Sequence, residues 1–231
     1  MPGSIALIIW YLGTAFELGF VVCSIVRRSF VRYFFLNLYF LLALSASLAR
    51  RFFLYSYGQT SDQYRYAYFY TDALLTLALY VALVSLYAFV FGELRFSRYI
   101  RWAALLLLLG TALFSYGVLM QSTERLSTSF ALELSQNLYF VGLVLTYILW
   151  GAVLKLRETR TRLVQFILAL GVYFSAYAAS FALANLANRW SILQLLAPSM
   201  GCLLPLAWTI TLWRHAEDAR LQVGRLVPVP R

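Results

Sequence analysis

Seven apolar runs, each long enough to cross a lipid bilayer, follow one another along this chain with only short polar breaks between them. A bilayer core of about 30 Å takes roughly 20 apolar residues per helix. The runs fall at 4–26, 33–49, 66–91, 102–120, 131–154, 163–183 and 192–213. In lipid every backbone N–H and C=O must be satisfied within the protein, so only helices or a closed barrel can span. Barrel strands alternate in polarity over about ten residues; these runs are longer and uniformly apolar. The expected fold is all-α, a polytopic seven-helix transmembrane domain over 1–213 followed by a short basic tail over 214–231.

Charged residues make up 12% of the chain, against roughly 25% in soluble domains, too few to cover a globule in water. Seven spans with short connections leave no room for a soluble catalytic or signalling domain. The first four residues carry no Lys or Arg, so the positive start of a cleavable signal is missing. The first span is therefore expected to stay.

Charge between the runs sets an orientation. Arg27, Arg28 and Arg32, then Arg95, Arg98 and Arg101, then Lys155, Arg157, Arg160 and Arg162, and finally Arg214, Arg220, Arg225 and Arg231 fall on one side. Arg50, Arg51, Arg65, Arg125 and Arg189 fall on the other. Positive residues stay cytoplasmic, which puts the N-terminus outside and the C-terminus inside a cell inner (plasma) membrane. Glu93, Glu158, Glu217 and Asp218 lie on the inner side, and the remaining five acids cancel the five outer Arg, so the net charge of +10 sits on the cytoplasmic face. Attraction to anionic lipid headgroups follows. Nucleic acid is not an expected partner, because the basic loops are short and form no continuous stripe.

The inventory of reactive residues excludes several chemistries. The one His, His215, follows the last run, so the chain by itself cannot hold a haem between two His within the membrane. The one Lys, Lys155, lies between runs, away from the position a retinal Schiff base needs. There is no His, Cys and carboxylate cluster of the kind zinc requires, no Gly-rich phosphate loop, no HExxH and no GxSxG. Cys23 and Cys202 lie inside apolar runs and read as small hydrophobes rather than a disulfide. No cofactor and no enzymatic activity are expected.

What remains is a set of polar residues that lipid should not tolerate. Glu17 lies mid-way along the first run, on one helical face with Trp10, Gly13, Thr14 and Ser24. It reads either as a neutral acid bonded to a neighbouring helix or as a proton or ligand site. Asp72 lies two turns into the third run, with Arg65 on its face and Arg50 and Arg51 ending the second run at a similar depth. An Asp–Arg bridge between the second and third helices is the plainer reading, an anion or zwitterion site the alternative. Glu133 opens the fifth run, where an acid suits the helix dipole, and Gln136 and Asn137 follow one turn inward. Asn185, Asn188 and Gln194 gather around the sixth and seventh runs. Glu17 apart, these residues lie in the outer half, and they outline an outward-facing cavity floored by Asp72.

Aromatic residues extend the pattern. Tyr55, Tyr57, Tyr64, Tyr66, Tyr68, Phe69 and Tyr70 crowd the outer end of the second and third runs, as an interfacial belt or as a stacking surface for a cation. Tyr173, Tyr177, Phe181, Asn185 and Asn188 form one stripe of the sixth run, and Gly171, Ser175, Ala178 and Ala182 another whose small residues suit close packing. Pro198 and Pro205, seven apart with Gly201 between them, bend the last run on one face.

The segment 66–75, Tyr-Ala-Tyr-Phe-Tyr-Thr-Asp-Ala-Leu-Leu, followed by an apolar run and the basic loop from Arg95 to Arg101, resembles small bacterial seven-helix membrane proteins. The chain is also similar in architecture to the seven-helix input domains that precede histidine kinases. The resemblance implies a fold and no particular site residues, and no output domain of the kind those sensors carry is expected after the seventh run. The expected function is a membrane sensor or small-molecule-binding module acting through a separate cytoplasmic protein partner. A small transporter or permease component, or an accessory subunit of a membrane complex, is the alternative.

Overall fold

The computed structural model describes residues 4–58, 60–91, 97–120, 126–155, 160–186 and 193–215. Among them it is all-helical: α1 (Ser4–Val26), α2 (Phe34–Tyr57), α3 (Asp62–Val90), α4 (Ser97–Met120), α5 (Leu126–Lys155), α6 (Thr161–Leu186) and α7 (Leu193–Arg214). Five stretches are long and apolar enough to cross a membrane, Ile8–Val26, Phe34–Tyr57, Asp62–Val90, Phe130–Lys155 and Thr161–Ser180. In α4 the described apolar stretch is Leu106–Gly117. The chain is built as a multi-pass membrane protein. Of the tail expected over 214–231, residues 216–231 lie outside the described residues.

Several helix ends differ from the hydropathy reading. α2 runs on to Tyr57, which places Arg50 and Arg51 inside the helix rather than at its end. Charge ends a hydropathy window, but Arg is a good helix former and Phe52, Phe53 and Leu54 continue the apolar pattern. The chain turns at Gly58, whose φ of 81° suits a residue without Cβ. α5 begins at Leu126, so Glu133 stands about two turns inside and away from the first-turn dipole. α3 begins at Asp62, four residues before the apolar run, after a Ser61 hydroxyl that accepts the Tyr64 N–H at 3.2 Å.

Six helices close a ring in the order α1, α2, α3, α5, α6, α7, with α7 returning to α1. α3 also touches α6 across the middle, and α4 lies outside, against α5 and the edge of α3. We call the end where α1 begins the upper end. The α1–α7 seam is close because Gly13 faces Cys202: a Cβ on Gly13 would meet the thiol at 3.2 Å. That thiol donates to the Ile9 carbonyl, and both cysteines are free.

The centre of the ring is aromatic. Phe20, Phe40, Phe166 and Trp208 are fully buried, with Phe40 and Trp208 edge-on at 5.5 Å. The Trp208 indole donates to the Phe166 carbonyl at 3.2 Å, which satisfies its polar edge. Between α5 and α6, Gly142 lets the buried Phe174 ring lie on the α5 backbone. A Cβ at Gly142 would fall 2.4 Å from that ring. Gly142→Ala is expected to cost about 1–3 kcal/mol by overpacking. Gly151→Ala, with nothing near its Cβ position, should be neutral or stabilising. Unfolding of the two variants in mixed detergent checks the contrast.

The lower end is held by arginines. Arg27 donates to the Trp213 carbonyl at 2.8 Å and Arg160 to the Phe89 carbonyl at 2.9 Å. Arg162, only 5% exposed, donates to the His215 carbonyl, the Leu212 carbonyl and the Ser29 hydroxyl. These groups satisfy the last carbonyls of α3 and α7, which have no intrahelical partner, and sit at the negative ends of those helices. Gln165 receives the Thr211 hydroxyl and bonds the His215 ring. Arg28 turns the chain out of α1 at φ 53°, a left-handed cap closed by the Ser29 N–H on the Ser24 carbonyl.

Candidate functional site

The expected bridge between α2 and α3 is formed. Arg50 meets Asp72 at 3.6 Å. Its Nε donates to the Thr71 hydroxyl at 2.7 Å and an Nη to the Tyr68 carbonyl at 3.3 Å. The guanidinium lies 4.4 Å over the Tyr68 ring, so hydrogen bonds and a cation–π contact fix it together. The two charged side chains remain 22% and 25% exposed. They stand in the upper half of the bundle, at the mouth of a polar cluster that continues inward.

The inner part of the cluster is made of phenols. Tyr139 of α5 stacks on Tyr177 of α6 with ring centroids 4.7 Å apart, and Tyr173 lies 4.5 Å from Tyr177. The Tyr39 and Tyr177 hydroxyls both neighbour Tyr173, and the Tyr139 hydroxyl neighbours Thr76. Asp72 acts electrostatically on Tyr39, Tyr139 and Tyr177, which makes carboxylate and phenols one group. α1 adds Glu17, whose charged neighbour is Arg50. From α7, Gly201 approaches the Tyr177 hydroxyl: its Cβ position is 3.7 Å away.

Two buried oxygens in the cluster close no hydrogen bond. Glu17 Oε2 is one and Ser135 Oγ, on a fully buried residue of α5, is the other. Ser135 is turned toward Asp72. Buried polar atoms without partners are uncommon in native structures, because leaving one unpaired costs about 1–3 kcal/mol.

Several expected residues stand elsewhere. Arg51 points away from Asp72, over the rings of Trp10 and Tyr55, and donates to the Tyr55 hydroxyl at 2.6 Å. Arg65 pairs with Asp62 of its own helix at 3.7 Å. Asn137 donates to Ser115 of α4 at 2.9 Å. Glu133, one helical turn before Asn137 on the same face of α5, is not joined to the cluster through any described contact. The side chain of Asn185 and the whole of Asn188 lie outside the described residues. Tyr39, Thr76, Ser135 and Tyr139 are members that sequence reasoning missed. Their signal was spacing: Asp72 and Thr76, and Ser135 and Tyr139, are four apart and share a helix face, while Tyr39 lies three turns from Arg50 across Ala43 and Ala46.

An open space of about 410 Å³ lies apart from this cluster, between α5 and α6, with Tyr147, Trp150, Gly171 and Ser175 among its lining. Gly171 and Ser175 thus border a groove, whereas Ala178 of the same stripe is buried. Tyr147 and Ser175 hydroxyls face each other there at 3.4 Å. Comparison with known protein families, characterised proteins and solved structures finds no match to this chain. No group of three or more His, Cys, Asp or Glu that could hold a metal ion occurs among the described residues.

Proposed function

We propose that this chain is a seven-span membrane protein, N-terminus outside and C-terminus in the cytoplasm, that binds a small molecule from the outer side and passes the signal to a separate cytoplasmic partner. The observation that carries the reading is convergence. Glu17, Arg50, Asp72, Ser135 and the Tyr139–Tyr177 stack come from five different helices and meet in the upper half of the ring. Ionisable groups at such depth are expensive, and within membrane spans they mark functional sites. Arg50 and Asp72 stay partly open, which gives a ligand a way to reach them.

The orientation rests on the arginine count and is tested separately. With Cys23 and Cys202 replaced by Ala, a cysteine at Thr60 should react with a membrane-impermeant maleimide on intact cells. A cysteine at Arg28 should react only after permeabilisation. The reverse pattern sinks the outward-facing reading. For binding, native mass spectrometry of protein purified in mild detergent should show a small-molecule adduct, lost in Asp72→Asn while the fold survives. In liposomes the same compound should bind saturably without flux; coupled flux makes the protein a transporter instead.

A further inference from the structure

The charges of the cluster do not balance, and the imbalance identifies a ligand class. Glu17 and Asp72 supply two carboxylates, Arg50 one guanidinium. Arg50 is already committed to Asp72, to the Thr71 hydroxyl and to the Tyr68 carbonyl. Glu17 has no ion pair among the described residues, and its Oε2 has no hydrogen bond. A lone carboxylate in a membrane interior is neutralised by a proton or by a cation.

The groups facing Glu17 are few. From α2 they are Arg50 and Tyr39. From α7 there is Cys202, whose thiol is occupied by the Ile9 carbonyl. The other carboxylate of the cluster, Asp72, is paired with Arg50. The buried Ser135 hydroxyl is turned toward Asp72 with no hydrogen bond closed. One unpartnered oxygen thus lies near Arg50 and another near Asp72, and the tyrosine rings of the cluster stack beside them. Ring faces and carboxylates attract cations. An anion would find the one guanidinium of the cluster engaged on three sides.

We propose that the cluster takes a small organic monocation carrying an ammonium group, seated against Asp72, Ser135 and the tyrosine rings, in exchange for one proton released from Glu17. The inference rests on the binding-module reading and specifies the ligand class of that same site. One positive charge enters as one leaves, so the cluster stays neutral in both states. It follows that protons and the ligand compete.

Tetramethylammonium chloride is the probe, with sodium chloride at equal ionic strength, sodium acetate and glycine betaine beside it, each read as the melting temperature of the protein in mild detergent. Tetramethylammonium is expected to raise the melting temperature above the sodium chloride control. Its apparent affinity should fall by up to about tenfold per pH unit on acidification, the limit for a one-proton exchange. Glu17→Gln should abolish the pH dependence, and Asp72→Asn the stabilisation. A pH-independent effect in the unaltered protein overturns the exchange without needing any variant. Stabilisation by acetate, or by betaine alone, overturns the cation and leaves the binding-module reading standing. No shift with any probe, or shifts unchanged in both variants, overturns binding at the cluster and the cation together.

Discussion

Arg50→Met is expected to destabilise the protein by about 3 kcal/mol, the low end of the range for breaking a buried ion pair from one side. The low end applies because a quarter of the Asp72 side chain still meets solvent. The loss is asymmetric. Without Arg50, Asp72 faces only the Ser135 hydroxyl and the phenols, and its charge is left in a poor medium. Asp72→Asn removes the charge along with the bridge, and Arg50 keeps Thr71, the Tyr68 carbonyl and the Tyr68 ring. That variant should lose about 1 kcal/mol, the ordinary worth of one hydrogen bond. Combining the two should recover much of the Arg50 loss, because the stranded carboxylate is gone. Reversible unfolding in mixed detergent, run as a double-mutant cycle, measures the coupling. Additive losses would show that Arg50 and Asp72 do not depend on each other.

The second large effect is at the opposite end. Arg162→Met should cost about 3 kcal/mol or more, since hydrogen bonds from a charged donor contribute about 1.5–3 kcal/mol each and three are lost. Met keeps most of the buried stem, so the loss reports the guanidinium. Arg162→Lys should restore only a minor part, because one ammonium cannot reach the Leu212 carbonyl, the His215 carbonyl and the Ser29 hydroxyl in the same fork. Exposed Arg28 provides the control: Arg28→Met should change stability within about 0.5 kcal/mol, as surface substitutions usually do. Melting temperatures of the three variants in one detergent decide the matter. Equal effects at the two positions would mean that the basic residues of this end act by charge alone.

These two arginines show what was legible in the sequence and what was not. Helix number and type followed from the apolar runs, since lipid leaves few backbone choices. The Arg50–Asp72 bridge was legible because two opposite charges at similar depth have few other partners. Arg162 was visible only as one more positive charge, because hydropathy and charge counts do not show which carbonyl a side chain reaches. Asn137 illustrates the same limit. Its depth was clear, but facing α4 rather than the ring depends on a rotation of α5 that no local pattern fixed. The tyrosines reversed that case. Tyr139 and Tyr39 look like ordinary apolar-run residues, and only the meeting of four helices makes them a group.

Ring closure has a consequence for how the molecule is made. The seam that completes the ring joins the first helix to the last, Ile9 to Cys202 and Arg27 to Trp213. Contacts so distant in sequence form late, since the whole intervening chain must be placed first. During synthesis the face of α1 that carries Gly13 and the Ile9 carbonyl is therefore expected to stay uncovered until α7 leaves the ribosome. A nascent chain stopped before α7 would present that face to any insertion chaperone or protease that recognises an unpacked helix. The unfinished protein is thereby distinguishable from the finished one by a single helix face.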